Sequence, residues 1–238
     1  MNYIKHMSMP LLQRIYLGIY YIYRRIRYGK ENDDLHLYGI YGFLGLPGQG
    51  KTMGLTYVLD KYRQKYGNDI YICSNYYYND EDFHFSNWTQ LLERRDKPLV
   101  VAWDKVQNEF NSRDFKNFPV QLLTVLTQNR KGNGIQILYT AQRYDRVDKV
   151  FRELTNYFFD CKTFFSRLTT CKGYDDESYR MLHDEVDINK RMKIHSSFKI
   201  KFIQTDRLRS LYDSYQMLES ATSKQYMSRE ELAQVQSY

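Results

Sequence analysis

Eight consecutive residues constrain the fold of this chain more than any other feature. From Gly45 to Thr52 they read Gly-Leu-Pro-Gly-Gln-Gly-Lys-Thr, which matches the pattern G-x-x-x-x-G-K-T of phosphate-binding loops. An aromatic and β-branched run at residues 37–44 predicts a strand before the loop, and apolar residues at helical spacing predict a helix after it. Because such a loop connects a strand to a helix, this context predicts an α/β fold around a nucleotide site.

The residue types in the loop indicate how it would hold ATP and Mg²⁺. Its glycines let backbone N–H groups turn towards the β-phosphate. Lys51 places a positive charge near the β- and γ-phosphates, and Thr52 offers a hydroxyl ligand for Mg²⁺. The helix after the loop directs the positive end of its dipole at the same phosphates. We therefore expect the cofactor to be bound by Gly45, Leu46, Pro47, Gly48, Gln49, Gly50, Lys51 and Thr52.

Strand-like runs that alternate with helical segments predict the fold class. We expect a P-loop NTPase of the α/β class, with a mainly parallel, doubly wound sheet. An N-terminal amphipathic helix would precede it, and a C-terminal helical appendage would follow. The strands are expected at residues 37–44, 69–74, 98–103, 135–140 and 157–164, and the later helices within residues 88–95, 122–131, 147–154 and 206–218.

The same pattern divides the chain into three segments. Residues 1–34 form an amphipathic, basic N-terminal segment with a polar linker, residues 35–205 a P-loop ATPase domain, and residues 206–238 a C-terminal helix and tail. Within the ATPase domain, residues 75–86 show no period and are expected to form a loop. Residues 193–203 are expected to form an antiparallel edge strand.

Charge and cysteine content narrow the class of partner. Lys and Arg number 35 against 28 Asp and Glu, so the net charge is +7. This excess favours an anionic partner, either nucleic acid or a membrane surface, although a soluble protein with a basic bias is the alternative. Cys73, Cys161 and Cys171 lack metal-ligand spacing, which indicates buried, reduced thiols. The N-terminal apolar run lacks the small-residue cleavage pattern of a secretion signal.

Residues 10–27 combine apolar and aromatic side chains with arginines at one end. Only nine uncharged residues separate Arg14 from Arg24, which is far short of the ~20 that a spanning helix needs. This composition favours a helix that lies on a membrane surface with its arginines on anionic headgroups. The alternative is a helix packed on the domain or on a neighbouring subunit.

An acidic residue at the tip of a buried strand predicts the centre of the chemistry. Asp104 follows the apolar run at residues 98–103, where such enzymes place the carboxylate that holds Mg²⁺. The next position usually carries a glutamate that activates water, and here it is Lys105, a cation that cannot accept a proton. Glu109 is an alternative base that would have to reach in from the following loop. The simpler interpretation is that the chain binds ATP but hydrolyses it poorly.

Three further polar residues are candidates for catalytic roles. Gln142 follows the strand at residues 135–140 and would sense the γ-phosphate or position water. Arg130 and Arg152 are candidates for an arginine finger that acts on a neighbouring subunit, with surface charge as the alternative for each. The basic segment at residues 130–134 is also a candidate pore loop for DNA, and a simple turn is the alternative.

With these motifs in place, the chain resembles the zonula occludens toxin-like (Zot) ATPases of filamentous phages, within the FtsK–HerA superfamily of DNA motors. The resemblance spans residues 39–164, about half the chain, and its phosphate loop alone is not specific to the family. The chain departs from the family at two points. Lys105 stands where the family has glutamate, and no hydrophobic segment long enough to span a bilayer is seen after the ATPase domain. The matching stretches are residues 45–52, 74–75, 103–110, 112–113, 129–132, 139–142 and 151–152.

The resemblance implies a ring-forming homo-oligomer, for example a hexamer, that helps to assemble or export single-stranded DNA virions. It implies a cytoplasmic ATPase at the inner face of the host membrane, with DNA bound regardless of sequence and with phage assembly proteins as partners. Two other functions stay open. One is a plasmid mobilisation or conjugation ATPase, and the other is a nucleotide-dependent membrane scaffold that does not translocate DNA.

Overall fold

The computed structural model describes residues 15, 16, 19, 35, 37–108, 110 and 119–212 of the 238. The chain divides into one unit of residues 1–36 and a second of residues 37–238. In the first unit Ile15, Tyr16 and Ile19 are helical, and the rest of the predicted membrane-surface segment lies outside the described residues. Within the described part of the chain, no helix has both the length and the hydropathy required to cross a bilayer.

A single mixed sheet forms the framework of the second unit. Its strand order is β3-β2-β4-β5-β1-β6-β7-β8, with parallel pairing from β3 to β6 and antiparallel pairing from β6 to β8. The described strands are β1 Gly39–Leu44, β2 Tyr71–Ser74, β3 Phe83–His84, β4 Leu99–Trp103, β5 Ile135–Ala141, β6 Tyr157–Phe164, β7 Leu168–Asp175 and β8 Phe198–Ile203.

Helices cover both faces of this sheet. On one face Phe151 and Leu122 join a buried cluster around Trp103, whose ring meets that of Phe151 edge-on at 5.9 Å. On the other face the first helix approaches Phe43 so closely that a Cβ at Gly54 would lie 3.3 Å from the ring. The described helices are α1 Lys51–Tyr66, α2 Val120–Thr127, α3 Lys149–Leu154, α4 Asp176–Asp184, α5 Ile188–Arg191 and α6 Asp206–Arg209.

This architecture confirms the predicted fold class, a mainly parallel, doubly wound α/β sheet around a phosphate-binding loop. All five residues of β4 are buried, as expected of an apolar strand with helices on both faces. The predicted antiparallel edge strand is β8, although it begins only at Phe198. Cys73, Cys161 and Cys171 are buried and unpaired, as predicted.

Three local predictions differ from the structure. Residues 75–86, predicted as a loop, contain the two-residue strand β3, which is too short to show a period. The sequence did not predict β7 or α4. In β7 the buried positions are Thr169, Cys171, Gly173 and Tyr174, a mixture that lacks a regular alternation of large apolar residues. The C-terminal helix predicted for residues 206–218 ends at Arg209, and the chain beyond Tyr212 lies outside the described residues.

The strand order decides which residues meet at the site. Since β5 lies between β1 and β4, three ends come together at the carboxyl edge of the sheet. The phosphate-binding loop leaves β1, Asp104 leaves β4, and Gln142 follows β5. Ligands of open α/β sheets bind in the crevice at this edge.

Candidate nucleotide-binding site

The phosphate-binding loop has the backbone geometry that its glycines permit. Gly48 and Gly50 have φ angles of 76° and 78°, in the left-handed region that favours glycine. Gly50 caps α1 and, since it has no side chain, makes no capping hydrogen bond to the first turn of this 16-residue helix. The amide groups at its amino end are therefore available to an anion.

The hairpin of β6 and β7 supports the loop from behind. The Thr163 backbone N–H donates to Gln49 Oε1 at 3.3 Å, and the hydroxyls of Thr163 and Thr169 are 2.9 Å apart. An alanine Cβ at Gly50 would collide with Thr163 Oγ1 and would lie 3.0 Å from Thr169 Oγ1. The sequence did not predict this support, because β7 itself was not predicted.

Lys51 lies along the loop that it follows. Its Nζ donates to the Leu46 carbonyl oxygen at 3.0 Å. Burial lowers the pKa of Lys51, while the nearby Asp104 carboxylate opposes that shift. The ammonium group is thus partly desolvated within the loop, where its attraction for a phosphate is stronger than in water.

Asp104 is the point at which three elements join. The residue is 4% exposed, and its Oδ1 accepts hydrogen bonds from Thr52 Oγ1 at 2.9 Å and Thr140 Oγ1 at 2.7 Å. The Thr140 hydroxyl in turn accepts from the Lys105 backbone N–H at 2.8 Å. A Thr hydroxyl and a carboxylate are the oxygen ligands that Mg²⁺ prefers, so the predicted metal residues Thr52 and Asp104 fit that ion chemically.

Asn75, at the end of β2, fixes the backbone of Asp104. The Asp104 N–H donates to Asn75 Oδ1 at 2.7 Å, and Asn75 Nδ2 donates to the Asp104 carbonyl at 3.0 Å. Asn75 lies in one of the stretches shared with the family, and no sequence pattern predicted a role for it in the site. The structure makes it a positioning residue for Asp104.

Lys105 lies beside the carboxylate that it follows in sequence. Its Nζ is 3.6 Å from Asp104 Oδ2, and its φ of 56° is unusual for a residue other than glycine. The Asp104 carboxylate is therefore flanked by hydroxyl groups on one oxygen and by an ammonium group on the other. Glu109, the alternative base, lies outside the described residues.

Gln142 borders an open cavity of about 430 Å³ beside the phosphate-binding loop. Its Oε1 accepts a hydrogen bond from Arg146 Nη1 at 3.1 Å, so the amide group is held by a side chain for which the sequence predicted no role. The cavity runs from Gly45 of the loop to Tyr179 and His183 of α4. Its size suits a nucleotide-sized ligand, and since Lys51, Thr52 and Asp104 do not line it, the cavity adjoins the Asp104 cluster rather than enclosing it.

The two candidate finger arginines lie away from the Asp104 cluster. Arg130 is exposed in the turn before β5, with its guanidinium 5.6 Å from the centre of the Tyr38 ring. That turn is at the amino edge of the sheet, opposite the phosphate-binding loop. Arg152 is half-buried on α3, 4.8 Å from the centre of the Tyr144 ring. An arginine finger acts on the nucleotide site of another subunit, so the proposed finger roles of Arg130 and Arg152 stay predictions.

No protein-family model matches the chain, and no curated protein matches it. Among solved structures, the N-terminal domain of zonular occludens toxin from Neisseria meningitidis has 16% identity and a TM-score of 0.49, over 74% of this chain and 100% of that one. The genome packaging NTPase B204 of Sulfolobus turreted icosahedral virus 2, in complex with ATP-gammaS, has 10% identity and a TM-score of 0.42, over 59% and 93%.

The AAA domain of FIGL-1 in complex with ADP is also similar, with 16% identity and a TM-score of 0.35 over 59% of this chain and 51% of that one. The first of these proteins bears the name of the family that the sequence motifs resemble. The fold class follows from the molecule's own strand order and loop geometry: the chain has the α/β fold of a P-loop NTPase.

Proposed function

We propose that this chain is an ATP-binding motor of the zonula occludens toxin-like type, in the FtsK–HerA superfamily, for packaging, assembly or export of viral DNA. The observation that carries the proposal is the cluster in which Thr52 of the loop and Thr140 of β5 both donate to Asp104. This cluster joins the nucleotide loop to a neighbouring strand, as a motor needs if nucleotide state is to move another part of the molecule.

The residues of the site suggest how the nucleotide is held. The loop amides and Lys51 would bind the β- and γ-phosphates, and Thr52 with Asp104 would hold Mg²⁺. When bound, Mg²⁺ neutralises charge that develops on the phosphates. Asn75 and Thr140 keep Asp104 in place, so the carboxylate needs little rearrangement on binding.

Lys105 favours weak hydrolysis. An ammonium group 3.6 Å from Asp104 Oδ2 cannot take a proton from the attacking water. We therefore expect tight ATP binding with slow turnover in the chain as it stands.

DNA-stimulated ATP hydrolysis in Lys105→Glu tests this function. A motor should gain roughly 10²–10⁴-fold in turnover, the range typical of a positioned acid–base group, and single-stranded DNA should stimulate it further. Lys105→Gln is the matched control, because it removes the positive charge without supplying a base. An equal gain in both variants would mean that the cation inhibits and that glutamate is not the missing base. Brisk turnover by the parent chain, unchanged in Lys105→Glu, would show that another residue is the catalyst.

A nucleotide-dependent scaffold is the second candidate, and Lys105 itself favours it, since slow hydrolysis suits a protein that holds a bound state. The oligomer mass with and without ATP and DNA separates the two. A scaffold should assemble with ATP alone and should not bind DNA, whereas a motor of either the viral or the plasmid-mobilisation kind should form a ring that also binds DNA.

Substituting Arg130 and Lys131 together tests their part in the assembly. Loss of ATP-dependent assembly would favour the arginine finger, and loss of DNA binding alone would favour the pore loop.

We further propose that residues 10–27 bring the chain to the inner face of the host membrane. The arginines of this segment would each contribute about 1 kcal/mol at an anionic surface. Flotation with anionic liposomes, with and without residues 1–30, is the measurement. Equal flotation of both chains would assign the segment to packing against protein.

A further inference from the structure

On the face of β6, β7 and β8 that points away from α1, Tyr179 of α4 packs on the row of Phe158 and Tyr174, and three further rows lie between that row and the β6–β7 turn. The antiparallel register of the strands aligns the outward side chains in these three rows. The first row is Asp160, Lys172 and Lys199; the second is Lys162, Thr170 and Lys201; and the third is Phe164, Leu168 and Ile203. We call these nine residues the hairpin face.

Seven of the nine side chains of the hairpin face are exposed, and Asp160 and Thr170 are half-buried. All four lysines are exposed, and Phe164 and Ile203 are 50% and 64% exposed. Phe165, at the adjoining turn, is 93% exposed. The residues between them along the strands point to the opposite side and are buried, for example Cys171 and Phe202. Large apolar side chains exposed beside lysines indicate a binding surface rather than an ordinary solvated strand.

The charges on this face are poorly balanced by the protein itself. Lys172 stands directly opposite Lys199, and like charges at opposed positions destabilise a sheet. Lys162 is 3.7 Å from Asp160, whereas no carboxylate in the described residues lies within ion-pair distance of Lys172, Lys199 or Lys201. An anionic ligand would relieve this repulsion.

We propose that the hairpin face binds single-stranded nucleic acid, with its lysines on backbone phosphates and with Phe164 and Phe165 stacked on bases. The inference rests on the proposed function in so far as DNA is the substrate of the motor. Basic side chains that follow a backbone, together with exposed aromatic rings, are the usual composition of sequence-independent single-strand sites. A duplex would not offer its base faces to the rings.

The distribution of charge favours a strand of nucleic acid over a lipid surface. A membrane touched by the apolar tip at Phe164 and Phe165 would meet only the nearest row of lysines. The row of Lys172 and Lys199 lies four residues further along the strands, about 13 Å from the tip. A polyanion that runs along the face contacts all of the lysines.

The position of this face also suits a motor. Lys162 and Phe164 point to the hairpin face, and Thr163 between them donates its backbone N–H to Gln49 of the phosphate-binding loop. Asp160 and Lys162 of the hairpin face also line the cavity beside Gly45 and Gln142, so the proposed nucleic-acid site directly adjoins the nucleotide site. Two ligands that adjoin in this way are placed to influence each other's affinity.

The test compares two triple variants with equal changes in charge. Lys172→Gln/Lys199→Gln/Lys201→Gln neutralises the face. Lys61→Gln/Lys65→Gln/Lys149→Gln neutralises exposed lysines on α1 and α3. Fluorescence anisotropy with a labelled oligothymidylate of about 30 nucleotides measures the affinity at several salt concentrations.

We expect the face variant to bind the oligothymidylate about tenfold more weakly than the parent chain at 50 mM salt. Its slope of log affinity against log salt should be less steep by about 2, because three phosphate contacts are lost. The control variant should stay within about threefold of the parent chain. Phe165→Asn, chosen because asparagine tolerates the local φ of 50°, should weaken oligothymidylate binding about fivefold or more and leave duplex binding unchanged.

Equal losses in the two triple variants would overturn the inference and leave the proposed function standing, since the parent chain would still bind DNA elsewhere. A parent chain that binds ATP but no oligonucleotide would overturn both. Loss of binding to phosphatidylserine vesicles in the face variant, with oligonucleotide binding intact, would overturn the inference in favour of a lipid surface.

Discussion

Gly50→Ala should destabilise the chain well beyond Gly48→Ala, although the two glycines have nearly the same backbone conformation. Their φ angles are 78° and 76°, so an alanine at either position pays the left-handed penalty of about 1–2 kcal/mol. A Cβ at Gly48 would meet no atom within 4 Å, whereas one at Gly50 would collide with Thr163 Oγ1 and lie 3.1 Å from Thr169 Cγ2. The difference between the variants therefore isolates the contact with the β6–β7 hairpin.

The expected difference follows from the cost of inserting a methyl group into a well-packed site, which is typically about 1–3 kcal/mol. For a domain of this size it corresponds to a further fall in Tm of roughly 2–12 °C. Urea unfolding of both variants measures the free energy, and thermal unfolding gives the Tm. Thr163→Ala introduced into Gly50→Ala should recover part of the loss, and the double-mutant cycle gives the coupling between the two sites. If Gly50→Ala and Gly48→Ala unfold alike, the hairpin does not support the loop as the structure indicates.

Three further results are expected. Lys51→Ala should weaken ATP binding by about 1.5–3 kcal/mol, the range for hydrogen bonds to charged groups. An affinity equal to that of the parent, measured by titration with fluorescent ATP, would refute the proposed nucleotide site. Asn75→Ala should lower the free energy of unfolding, measured with urea, by about 1–3 kcal/mol, because the buried backbone of Asp104 loses both of its side-chain partners. Asn75→Asp retains only the acceptor and should recover part of that loss. Burial raises the pKa of Cys73 and Cys161 above the ordinary 9.0, so the unfolded thiols ionise first and the free energy of unfolding should fall as pH rises above 9.0. Iodoacetamide should accordingly label neither thiol in the folded protein at pH 8, and labelling as fast as in urea would refute their burial.

Much of the site was readable from the sequence because its signals are local. A phosphate-binding loop needs a strand before it and a helix after it, and residues 37–66 contain all three parts in order. Asp104 was predicted for a similar reason, since a run of five buried apolar residues marks β4 and the acidic residue comes directly after it. The sequence likewise placed Lys105 next to Asp104, because neighbours in the chain stay neighbours in the fold.

The partners of these residues were decided only by the tertiary structure. Thr140 reaches Asp104 because β5 lies between β1 and β4, and no local period reports the order of strands in a sheet. Asn75 is 29 positions away from Asp104, and its contact depends on the parallel register of β2 with β4.

The hairpin of β6 and β7 shows the same limit more strongly. Thr169 and Gly173 are buried in β7 because the phosphate-binding loop and β8 leave no space for larger side chains, so the strand lacks the apolar alternation that would have predicted it. Its register with β6 and β8 then aligns lysines from three separate stretches of sequence on one face. Local composition specifies which residues can serve the chemistry, whereas pairing between distant strands determines which of them meet.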